Sequence, residues 1–140
     1  MNRRLAMKLI TMSVSLFLAL TVSHFLVYKD LIVPHLQQLS SVPLSWWLGM
    51  FVPGVSILLI FGFSGRSWSE LLLFSVVAGL IEQLFAYLMA VLNEPGYSKV
   101  YESAVSHWTL GLLAVSLISA IPLVLGMLLG KIIKPRMKFA

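Results

Sequence analysis

The sequence predicts an all-α integral membrane protein, a bundle of four transmembrane helices. Only 11% of its residues are charged, 59% are hydrophobic and mean hydropathy is +0.96. A soluble domain of this length could not hide so much apolar surface. Four apolar stretches also reach the roughly 20 residues that a helix needs to cross a hydrocarbon core. Their connections leave no room for a soluble domain, so residues 1–140 are expected to form a single membrane domain.

The first span, about Leu9 to Tyr28, follows Arg3, Arg4 and Lys8. That basic start imitates a signal peptide, but the apolar run is longer than a signal core and no small-x-small cleavage site follows. An uncleaved span is therefore expected. The second span, Trp46 to Phe63, is the shortest and contains Pro53. The third, Leu71 to Leu92, holds Glu82 and Gln83, and the fourth, Trp108 to Ile133, contains Pro122.

Between the first two spans, the apolar segment Leu31 to Ser45 is expected to lie along the outer membrane surface or to re-enter it in part. Before the fourth, Asn93, Pro95 and Gly96 signal a turn. Tyr97, Val100, Tyr101, Ala104 and Trp108 then recur at helical spacing, predicting a short outer interfacial helix.

Orientation follows from the retention of Lys and Arg on the cytoplasmic side. Both termini inside leaves only Lys29 and Lys99 of the ten basic residues outside. The formal charge of +5 is thus mainly a topology signal, with basic ends suited to anionic headgroups. A bacterial cytoplasmic (inner) membrane with both termini cytoplasmic is the expected location. The lipid bilayer is an expected partner; nucleic acid is not, because no folded basic surface is in view.

Helices in lipid gain little from hydrophobicity when they associate, so small residues that allow close approach must supply packing. Such stripes occur at Thr11, Ser15, Ala19 and Ser23, at Ser75, Gly79, Ala86 and Ala90, and at Ser119, Pro122, Gly126 and Gly130. Gly79, Gly126 and Gly130 are the expected packing points. The pair in "GMLLG" reads as a homodimer seam or, preferably, as a contact within the chain, since four helices must pack together.

Glu82 lies about midway along the third span, where a carboxylate costs several kcal/mol. It is expected to face the bundle interior and, unless paired, to carry its proton. His24 is the nearest cationic candidate, roughly 6 Å closer to the outside. Pro53 and Pro122 break helical hydrogen bonding and free the carbonyls of Gly49 and Ile118. Donors at the depth of Glu82 and Gln83 suit them, so a polar pocket among the second, third and fourth helices is expected. Either this pocket binds a proton or cationic solute, or Glu82 and Gln83 only tie helices together.

Chemistry elsewhere is sparse. Cysteine is absent. His24, His35 and His107, with Asp30, Glu94 and Glu102, fall near the outer side without metal-ligand spacing, and read as solvated loop charges. Neither a metal nor a cofactor is expected. No HExxH, GxSxG or phosphate-binding glycine loop occurs, so an enzyme is not expected.

Two functions remain. One is a small transport or permeation unit, acting as a homo-oligomer, with Glu82 as its protonatable site. The alternative is a non-enzymatic accessory or assembly subunit that binds a larger membrane protein through its small-residue faces, Gly126 and Gly130 included.

Overall fold

The computed structural model describes residues 2–35, 43–94 and 108–137. Its long helices are α1 (Arg3–Ser23), α2 (Leu44–Ser64), α3 (Trp68–Val91) and α4 (Trp108–Met137). A π-helical segment, His24–Ile32, and a 3-10 turn over 33–35 prolong α1. The first helical stretch therefore runs Arg3–His35, past the end expected near Tyr28. Four helical stretches are long and apolar enough to cross a membrane, and no strand occurs among the described residues. The expected interfacial helix before α4 lies, over 97–107, outside the described residues, as does 36–42 of the outer segment.

Local chemistry explains the helix ends. The Asn2 side chain accepts the Arg4 N–H at 3.1 Å and caps α1. At α3, Ser67 accepts the Glu70 N–H at 3.2 Å, while the Glu70 carboxylate reaches back to the Arg66 N–H at 2.7 Å. This is the S-x-x-E capping pattern displaced by one residue. α3 ends where Asn93 takes a φ of 57°. The Asn93 and Glu94 N–H groups then donate to Ala90 and Met89 at 3.0 and 2.9 Å. These two bonds make a Schellman motif, with asparagine, which tolerates the left-handed region, in the usual glycine place.

α1 packs beside α2 and α3, and α4 packs beside the same two, so α1 faces α4 and α2 faces α3 across the diagonals. Met12, Leu16, Leu58, Phe74, Leu123 and Met127 fill the centre. The rings of Phe61 and Phe74 meet edge-on at 6.1 Å across one diagonal. Outward, Val14, Leu18, Leu72, Leu80, Leu117 and Ile121 are exposed. Hydrocarbon solvates such side chains well, so close packing has to hold the bundle.

The tightest packing joins α2 to α4. A Cβ on Gly62 would overlap the Leu123 carbonyl, and one on Gly126 would overlap that of Leu59. Gly130 similarly faces the Phe63 carbonyl. Both glycines of "GMLLG" are thus spent within the chain. On α3, Gly79 abuts Ser116, and the Ser75 hydroxyl donates to the Ser116 carbonyl. The stripe on α1 is mixed: Thr11 is exposed, Ser15 and Ala19 are half-buried and Ser23 is buried, while Met12 and Leu16 enter the core. That helix packs through long flexible and branched side chains instead.

Residues 2 and 137 share one end of the bundle, hereafter the basal end. There the Lys8 ammonium lies 2.8 Å from the Glu70 carboxylate and donates to the Ser64 carbonyl at 2.9 Å. One side chain thereby ties α1 to the close of α2 and the start of α3. Both partners are largely buried, at 16% and 12% exposed, so removing one strands the other. Lys8→Ala is expected to destabilise the bundle by about 2 kcal/mol, read as a lower melting temperature in detergent. An unchanged melt would show the pair to be incidental.

Candidate functional site

Several polar residues of the spans meet on the seam between α3 and α4. Ser75 and Gly79 face Ser116, and Gln83 lies against Gly111, where an added Cβ would come within 2.9 Å of its amide nitrogen. Between these contacts the Ser119 hydroxyl donates to Glu82 at 2.9 Å. Ser119 is buried, as is Pro122 three residues further along α4, whereas Glu82 itself is only partly covered. Among the described residues, no Lys, Arg or His forms an ion pair with Glu82.

This differs from the expected three-helix pocket. α2 and α3 stand diagonally, so Pro53 and Glu82 lie on helices that do not pack side by side. Gly49 faces Val27 in the extension of α1 instead. The hydrogen bonds of the polar seam run between α3 and α4.

His24 is not brought to Glu82 either. It is buried at the far end, with its Nε2 3.3 Å from the Glu94 carboxylate. Twelve residues separate Glu94 from Glu82, or about 18 Å along the helix axis. The other Glu94 oxygen is 3.1 Å from the Lys29 ammonium. Far from being solvated loop charges, these groups form a compact cluster. Phe25, Tyr28 and Phe85 surround the imidazole at ring distances of 4.8, 5.6 and 5.9 Å.

Two backbone irregularities assemble that cluster. In an α-helix, residues five apart point about 140° away from one another. A π-helix closes its hydrogen bonds five residues apart and stacks them. The segment His24–Ile32 thereby puts His24 and Lys29 on one side, while the Asn93 turn brings Glu94 back towards them.

The Lys29 ammonium, and then the His24 ring, hold the Glu94 carboxyl below the usual carboxylate range. A depressed carboxyl contributes stability that is complete above its unfolded pKa and is lost as pH falls through the folded value. Acidification below the ordinary carboxylate range should therefore loosen the far end first. Amide exchange of residues 24–32 is expected to accelerate over that window in the native protein, but to lose this pH response in Glu94→Gln. An identical response in both would exclude Glu94 as its source.

Among the described residues, no three His, Asp or Glu groups converge as a metal site. Sequence reading had passed over the Lys8–Glu70 pair, although Ser67-x-x-Glu70 carried a capping signal, and also the packing role of Gly62.

Together these elements define a four-helix bundle with spans long and apolar enough for a membrane and one polar interhelical seam. No family model, curated protein or solved structure matches the chain.

Proposed function

We propose that the protein is a small transport or permeation unit in which Glu82 takes up and releases a proton or a cationic solute. The carrying observation is that, among the described residues, Glu82 has one hydrogen-bond donor, Ser119, and stays partly uncovered midway along α3. A polar group at that depth cannot be left to hydrocarbon. A second copy of the chain would cover it and complete a path to it, so the working form in this reading is a homo-oligomer. The bundle sits in a bacterial inner membrane with both termini cytoplasmic, because the basic residues crowd the basal end.

The test is relaxation of an imposed pH gradient across proteoliposomes. Wild type should exceed protein-free vesicles, and Glu82→Gln should fall back to them. Equal rates in wild type and variant would remove the proton role.

The same uncovered acid also suits an accessory subunit whose larger partner supplies the missing cover. Gly126 and Gly130 no longer offer its interface, since α2 of the same chain occupies them. Mild extraction from native membranes distinguishes the readings: a homo-oligomer supports transport, and fixed stoichiometry with a larger protein supports the accessory role.

A further inference from the structure

We propose that a cleft at the basal end, between the α2–α3 turn and the last turns of α4, binds the phosphate group of an anionic lipid through Arg66, Lys131 and Lys134. This inference is independent of Glu82. The cleft has a volume of about 450 Å³ and is lined by those three cations together with Met127, Gly130 and Pro135. Among the described residues, no acidic residue lines it. The nearby carboxylate, Glu70, lies outside the cleft; it pairs with Lys8, accepts from the Arg66 backbone and feels the Arg66 charge at longer range. Among the described residues, no carboxylate forms an ion pair with any of the three.

The site is also partly built. The Lys131 ammonium rests 5.4 Å from the centre of the Trp68 ring, and that of Lys134 rests 4.8 Å from the Phe63 ring. Lys134 also donates to the Phe63 carbonyl at the end of α2. These contacts restrict both long side chains before any ligand arrives, lowering the entropy lost on binding. Three cations around one cleft repel each other, and an anion bearing several oxygens relieves all three.

The chemistry favours a lipid over a free ion. The cleft opens at the end of the apolar helices, where headgroups lie, and basic pockets between membrane helices suit phosphate headgroups. Its volume is that of a small-molecule pocket, much more than a bare phosphate needs. Met127 and Pro135 add an apolar wall for the glycerol portion.

The experiment titrates phosphatidylglycerol into the full chain in neutral detergent and reads bound lipid by native mass spectrometry. Lys131→Gln/Lys134→Gln is expected to weaken binding about 25-fold, on the basis of about fivefold for each lysine near an anionic surface. Arg3→Gln/Arg4→Gln removes the same charge outside the cleft and should weaken binding less than about twofold. Equal weakening by the two pairs, or none by the first, overturns the site. Displacement of the lipid by millimolar inorganic phosphate would make the ligand a free anion and overturn the lipid assignment. A thermal melt checks folding of each variant. Should the double variant not fold, the exposed single change Lys131→Gln decides, with about a fivefold loss expected and unchanged binding overturning the proposal.

Discussion

Alanine at Gly126 is expected to destabilise the protein by about 3 kcal/mol, at the upper end of ordinary overpacking costs. The reason lies in what the new methyl group would meet. It would strike the Leu59 carbonyl of α2, and at Gly62 the corresponding methyl would strike the Leu123 carbonyl of α4. Backbone cannot swing aside as a side chain does, so α2 and α4 would have to separate along their shared face. That separation loosens the centre around Leu58 and Leu123. One displacement accommodates either methyl group, so Gly62→Ala/Gly126→Ala should cost clearly less than the sum of the single changes. Gly54 provides the comparison: an added Cβ there meets only the Leu16 side chain, at 3.8 Å. Gly54→Ala should be neutral or gain up to about 1 kcal/mol from helix propensity. Reversible denaturation in mixed micelles would measure all four variants. If Gly126→Ala and Gly54→Ala behaved alike, the glycine crossing would not be the principal joint of the bundle.

Glu82→Gln is expected to abolish proton movement and leave the fold intact. Glutamine has nearly the same shape and can still accept from Ser119, but it carries no exchangeable acid proton. The melting temperature should therefore stay close to that of wild type while the pH-gradient signal falls to that of empty vesicles. Ser119→Ala separates binding from chemistry. It keeps the acid and removes one hydrogen bond, worth about 1 kcal/mol, so flux should change by no more than about tenfold. Retained flux in Glu82→Gln, with a loss of stability in the same variant, would instead make Glu82 a packing residue.

Much of the architecture was legible because long apolar runs leave a helix few alternatives. Charge scarcity and four long apolar runs implied the helices, and the stripes through Gly79 and through Ser119, Pro122, Gly126 and Gly130 marked faces that the structure buries. The site was less legible. Glu82 and Gln83 stood out as polar residues in an apolar run, yet their partners lie across a helix interface. No sequence period records that α2 and α3 stand diagonally. The sequence therefore could not say that α4 lies between the helices of Pro53 and Glu82.

His24 shows the same division at the level of the backbone. Counting along a regular α-helix leaves His24 and Lys29 on different sides and Glu94 in a loop. A π-helical stretch and one left-handed asparagine bring the three together, within 3.3 Å for His24 and 3.1 Å for Lys29.

The sequence by itself determined the apolar helices, the small-residue faces on α3 and α4, and the presence of an acid midway along α3. These follow from composition and helical period, which are local properties. Only the tertiary structure decided that "GMLLG" packs against α2, that Ser119 serves Glu82, that Lys8 reaches Glu70, and that Arg66 joins Lys131 and Lys134 around one cleft. Each of these depends on which helices become neighbours and at what angle, a choice set by packing across the whole bundle and encoded in no single segment.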